Sequence, residues 1–165
     1  MKRLLFLFLL SLYLNHSTKA ISSLIRKTLR TEEKIQIFDK IERKTSPGQG
    51  YEVHIVNKLP INSTFPLNIH CASKDDDLGN HTLNLNDDFN WHFKMNYGLS
   101  TMFFCRFKWG SKDQAHEVFN KHIAFYCEGY NEKADGNICL WSIKEDGFWI
   151  SNEIPPRLWT QIYQW

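Results

Sequence analysis

The residues best equipped for chemistry in this chain are four cysteines, seven histidines and one run of three aspartates. Cys71, Cys105, Cys127 and Cys139 are even in number, none forms a C-x-x-C pair, and none stands at finger-like spacing from a histidine. That pattern favours two disulfides over a structural zinc site. Four cysteines permit three pairings. The short stretch from Cys127 to Cys139 favours closing one loop there and leaving Cys71 with Cys105, although the sequence pattern around the cysteines does not itself choose among the three. Asp75-Asp76-Asp77 invites a calcium reading, because hard cations take carboxylate oxygens. An EF-hand loop opening at Asp75, however, needs a ligand side chain at its fifth position and glycine at its sixth, where this chain has Gly79 and Asn80, and its twelfth residue is Asn86. A solvated turn, with aspartates bonded to backbone N–H groups and Gly79 at positive φ, accounts for the run without a metal.

His54, His70, His81 and His92 could in principle serve as metal ligands or a general base. Three of them alternate with apolar residues, which turns them toward solvent. The chain holds no G-x-S-x-G elbow and no H-E-x-x-H pair. Adjacent aspartates in a glycine-ended turn do not supply the separated carboxylate pair, one of raised pKa, that a small hydrolase requires. No catalytic residue, no metal and no cofactor is expected. Two N-x-S/T acceptors, Asn62 and Asn80, are candidate glycosylation sites, each bordered by turn-like sequence.

The first 20 residues bear on where such chemistry would take place. Lys2 and Arg3 precede an apolar run from Leu4 to Leu14, and Thr18-Lys19-Ala20 offers the small residues read by a signal peptidase. The run falls short of the roughly 20 apolar residues needed to cross a bilayer. Residues 1–20 therefore read as a cleaved secretory signal peptide, with no membrane span left after cleavage. Losing Lys2, Arg3 and Lys19 takes the formal charge from +2 to −1. A nearly neutral mature chain has no general attraction to phosphate, so nucleic acid is not an expected partner.

The chain's 165 residues, 42% of them hydrophobic, suffice for one well-buried domain. Residues 21–50 form a polar extension, either loosely ordered or with a turn or two of amphipathic helix at Ile35, Phe38 and Ile41, before Ser46-Pro47-Gly48-Gln49-Gly50 breaks it. From Tyr51 the period becomes two. Val53 and Ile55; Leu67, Ile69 and Cys71; Phe89, Trp91, Phe93 and Met95; Phe103, Cys105, Phe107 and Trp109; and Cys139, Trp141 and Ile143 each alternate with polar residues. Ile123, Phe125 and Cys127 are expected to form a further strand. Turns are expected at 57–65, 74–80, 96–98 and 110–114. Residues 51–165 thus read as an all-β domain, a small disulfide-braced antiparallel β-sandwich, with every cysteine on the apolar side of its strand and so structural rather than reactive.

The ordered blocks Val53-His54-Ile55-Val56-Asn57, Ile69-His70-Cys71-Ala72-Ser73-Lys74-Asp75-Asp76-Asp77-Leu78-Gly79, Phe89-x-Trp91-x-Phe93, Phe104-Cys105-x-Phe107-x-Trp109, Cys139-x-Trp141 and Asp146-Gly147 resemble the plant self-incompatibility S1 family from about Val53 to Trp165. The separation of Cys127 from Cys139 and the charged stretch 21–50 are both longer than in the family pattern. The resemblance implies a secreted, non-enzymatic β-sandwich that acts as a ligand for a cell-surface receptor, in pollen rejection or related cell–cell communication. A wall- or glycan-binding defence module is the alternative. Exposed charged loops are the natural receptor contacts: Asp75, Asp76 and Asp77 in one, Lys112 and Asp113 in a second, Glu132 and Lys133 in a third.

Overall fold

A computed structural model of the chain describes Lys27, residues 47–128 and residues 136–165. The expected signal peptide of residues 1–20, most of the expected polar extension, and Glu132 and Lys133 lie outside the described residues. The described residues form nine strands: β1 (Gly50–Asn57), β2 (Leu67–Ser73), β3 (Asp77–Leu83), β4 (Asp88–Lys94), β5 (Phe103–Trp109), β6 (Lys112–Phe119), β7 (Asn137–Lys144), β8 (Gly147–Ser151) and β9 (Thr160–Tyr163). One short helix, α1 (Ala124–Cys127), follows β6. The strands form two sheets, β4-β1-β7-β8-β9 and β3-β2-β5-β6. Every pairing is antiparallel except β1 with β7, which run parallel with Val53 beside Cys139 and Ile55 beside Trp141. The fold is the expected disulfide-braced β-sandwich, antiparallel apart from this one pairing, and β7, buried at six successive positions, has the nearly continuous apolar character of a central strand.

The core lies between the sheets and is built by the alternation. Tyr51, Val53 and Ile55 from β1, Trp141 and Ile143 from β7, and Phe148 and Ile150 from β8 meet Leu67 and Ile69 from β2, Phe103 and Phe107 from β5, and Val118 and Phe119 from β6. The Trp141 indole N–H crosses the gap to donate to the Val118 carbonyl at 2.9 Å, so the largest buried ring carries no unpaired polar atom. Phe89, Trp91 and Phe93 of β4 are only half-buried; this edge-strand stripe continues the core through Phe103, 5.5 Å from Trp91 and 4.7 Å from Phe93 between ring centroids. Cys71 is joined to Cys105, its direct partner across β2 and β5, and Cys127 is joined to Cys139, tying α1 to β7.

Four expectations require correction. The segment Ile123–Cys127 is a turn and helix, not a strand: Asn120 Oδ1 accepts from the His122 and Ile123 N–H groups at 2.8 and 2.7 Å, starting a helical turn. Its buried residues are Ile123, Ala124 and Cys127 while Phe125 is half-exposed, a spacing that period two does not produce. The turn expected at 74–80 is confined to residues 74–76, with Asp77 to Asn80 already in β3; the one expected at 110–114 reduces to Gly110-Ser111, with Lys112 and Asp113 opening β6. His54, expected to face solvent, is 7% exposed.

Strand direction gathers the loops into two sets. The β1–β2, β3–β4, β5–β6 and β7–β8 loops and the C-terminus share one end of the sandwich, here called the Trp165 end. The β2–β3, β4–β5, β6–β7 and β8–β9 loops share the other, the Met95 end.

Candidate functional site

Asn57, the last residue of β1, is 3% exposed and organises the Trp165 end from within. Its side-chain amide donates to the Leu83 carbonyl at 2.8 Å, and its Oδ1 accepts from the Leu59 N–H at 3.0 Å, so one side chain fixes both the β1–β2 and β3–β4 loops. Lys58 Nζ reaches Asn86 Oδ1 across the same two loops at 2.7 Å. Ser63 Oγ donates to the Phe65 carbonyl at 2.8 Å and accepts the Trp109 indole N–H at 2.7 Å, which anchors the β1–β2 loop to β5. The C-terminus is held likewise: Trp165 donates to the Lys144 carbonyl at 2.7 Å. Lys112 lies 5.0 Å from the Trp109 ring centre and 5.4 Å from that of Trp165, and donates to the Glu145 carbonyl at 3.2 Å.

On these pinned loops stand large apolar side chains in solvent. Ile61 is 90% exposed and Phe65 58%, and Leu85 of the β3–β4 loop is also exposed. Apolar tips on loops already held in one conformation form a binding surface that loses little entropy on engagement.

Among the described residues the charged contact candidates do not converge. Asp75 and Asp76 occupy the turn at the Met95 end, where Ser73 Oγ accepts both their N–H groups, at 3.2 and 2.9 Å. Asp77 sits on β3 with Oδ1 accepting from the Gly79 N–H at 2.9 Å and lying 2.7 Å from His70 Nε2. The Gly79 N–H first, and His70 second, hold its carboxyl below the usual range. Gly79 adopts φ +83°, which lets the chain enter β3. Lys112 and Asp113 lie toward the opposite end, and Asp113 is paired with Arg106 through two hydrogen bonds of 2.7 and 2.8 Å, with Lys108 at 3.7 Å. The Arg106 hydrogen bonds keep the Asp113 carboxyl low. Asn62 is exposed in the β1–β2 loop, and Asn80 is exposed on β3. The sequence reasoning overlooked Asn57, Ile61 and Phe65. A polar residue ending a strand before a loop was the available signal for Asn57.

His54 occupies the outer face of β1 between two carboxylates: Nδ1 lies 2.8 Å from Asp88 Oδ2 and Nε2 3.4 Å from Glu52 Oε1. Burial, the largest single influence, pushes its pKa down, but Asp88 and Glu52 together outweigh it and the net direction is up. His116 shows the opposite balance. It stacks on Tyr163 at 4.2 Å and packs against Phe148 at 4.6 Å, and burial alone lowers its pKa. Among the described residues no group of three or more His, Cys, Asp or Glu side chains could hold a metal ion, and no helix is long and apolar enough to cross a membrane.

Comparison with known proteins connects this scaffold to others. The family model for plant self-incompatibility protein S1 matches residues 52–165. S-protein homolog 24 of Arabidopsis thaliana is 30% identical over 76% of this chain and 77% of its own length, and S-protein homolog 28 of the same plant is 32% identical over 76% and 77%. S-protein homolog 5 is 34% identical, but over half of this chain and 58% of its own length. A solved self-incompatibility protein homologue, from a family described as small, highly stable, secreted plant proteins, superposes with a TM-score of 0.46 at 19% identity over 70% of this chain and 97% of that one. The family match and relatives at least 30% identical over about three quarters of the chain together establish that the chain belongs to the plant self-incompatibility protein S1 family.

Proposed function

We propose that this protein is an extracellular recognition ligand, cleaved from its signal peptide after Ala20, that meets a cell-surface receptor through the loops of the Trp165 end. The observation that carries the reading is the exposure of Ile61 and Phe65 on a loop fastened by Asn57 and Ser63. A few anchor side chains dominate the binding energy at protein interfaces, and exposed aromatics such as Phe65 are enriched there. Lys112 and Asp113 border this surface and are suited to rim contacts, where charge steers approach more than it adds affinity. Asp75 and Asp76, at the far end, stand apart from it. The chain offers a binding surface rather than a catalytic one, and the family resemblance makes pollen rejection or related cell–cell communication the process served.

Binding of fluorescently labelled protein to intact protoplasts tests this. Saturable binding, competed by unlabelled protein, is expected for the wild type. Ile61→Asp and Phe65→Asp should abolish it, while Tyr97→Asp, at a 93% exposed position on the Met95 end, should leave it intact. Absence of saturable binding, or loss with Tyr97→Asp alone, contradicts the assignment.

A further inference from the structure

The outer face of the β3-β2-β5-β6 sheet bears a shallow open hollow of about 250 Å³, lined chiefly by Asn68, His70, Asn80, Thr82, Arg106 and Lys108. These residues form two rows across three strands: Asn80 stands opposite His70 and His70 opposite Arg106, while Thr82 stands opposite Asn68 and Asn68 opposite Lys108. The hollow is smaller than the roughly 300 Å³ that begins to enclose a drug-sized ligand, so it suits a chain lying across it better than a free small molecule. The side chains of the two rows are polar, with Ile69 and His81 completing the lining, so a wholly apolar occupant would leave those polar groups unpaired. Arg106 and Lys108 share the Asp113 carboxylate, at 2.7 and 3.7 Å, and His70 Nε2 lies 2.7 Å from Asp77 Oδ1, so part of the attraction for an anionic occupant is already offset within the protein. Arg106 commits two of its five N–H donors to Asp113 and keeps three for other acceptors. A neutral, hydroxyl-rich chain meets all these conditions.

The hollow also contains a point of attachment for such a chain. Asn80-His81-Thr82 is an N-glycosylation acceptor, and exposed Asn80 lies at the outer edge of the rows, on the edge strand β3. We propose that an N-glycan on Asn80 folds back over His70 toward Arg106 and Lys108 and lies in this hollow, covering the sheet face. In the attachment step the Asn80 amide nitrogen bonds to C1 of the first sugar of a lipid-diphosphate-linked oligosaccharide. The C1–O bond to the diphosphate breaks, the lipid diphosphate leaves with the bonding electron pair, and the amide proton is released. In the folded protein the Thr82 hydroxyl donates to Asn68 Oδ1 at 2.7 Å, so transfer precedes the pairing of β3 with β2. The inference rests on the export proposed above, because the donor belongs to the secretory pathway. The Asn80 glycan then screens this face of the sheet.

Peptide mass mapping of protein secreted by plant cells, combined with amine-reactive footprinting, tests it. A glycan is expected on Asn80, and Lys108 should be protected from labelling relative to Lys121. Protection should be lost in Asn80→Gln and in wild-type protein oxidatively refolded from bacteria, which bears no glycan and needs no substitution to fold. A secreted protein with cleaved N-terminus but bare Asn80, or a glycosylated one with Lys108 as reactive as in the bacterial protein, overturns the inference while leaving export standing. A retained N-terminus with neither Asn62 nor Asn80 modified overturns export itself.

Discussion

At the scale of single residues, two histidines set opposing dependences of stability on pH. The folded pKa of His54 is raised above 6.5 by Asp88 and Glu52 against the pull of burial. Its contribution is therefore fully present below the unfolded value and is lost as pH rises through the folded one. The folded pKa of His116 is lowered by burial. The unfolded chain takes up that proton first, so stability falls as pH drops below 6.5. Urea midpoints measured between about pH 5 and 8 separate the two: His54→Gln should remove the loss seen on the alkaline side, and His116→Phe the loss on the acidic side. Coincident profiles for wild type and His54→Gln would contradict the pairing with Asp88. Sequence alternation correctly set His54 apart from the apolar face of β1. It could not reveal the burial, because the Asp88 partner comes from β4, 34 residues away in sequence, through a register that only the folded sheet defines.

At the scale of elements, strands with a strong apolar stripe were legible and those at the margins were not. β5 alternates buried and exposed residues almost without fault, and its period is plain in the sequence. β3 buries only Leu83, and most of β6 is exposed, so neither carries the period-two pattern, and both were read partly as loop. They are strands because β2 and β5 present them with unpaired backbone edges, a tertiary cause. The β8–β9 pairing likewise depends on Gly147, which the sequence offered as part of the Asp146-Gly147 block without showing the tertiary contact behind it. Gly147 adopts φ +137°, and a Cβ there would stand 2.3 Å from the Tyr163 carbonyl oxygen. Gly147→Ala should destabilise the protein by about 3 kcal/mol, combining strain with lost pairing. It should also free the C-terminal strand, raising amide exchange at Gln161 and Tyr163 in particular. Wild-type stability in this variant would show that β9 does not depend on the close approach.

At the scale of the whole molecule, two packed sheets and two disulfides make a scaffold that gathers four loops and the C-terminus at the Trp165 end. The all-β class, the cysteine placement and the family were legible because they depend on local alternation and short motifs. The Trp165 end was not, because its loops are separated in sequence and are brought together by the order of strands in two sheets. For the same reason the charged residues singled out as contacts fall at both ends instead of forming one surface. The two disulfides suit an oxidising compartment, and each would be expected to add about 2–4 kcal/mol to a small domain. The intact mass of the protein secreted by plant cells, after glycan removal and with alkylation before and after reduction, tests this central claim most directly. The predicted result is a mass lacking residues 1–20, with all four cysteines unreactive until reduced; free thiols or a retained N-terminus would contradict an exported, disulfide-braced ligand.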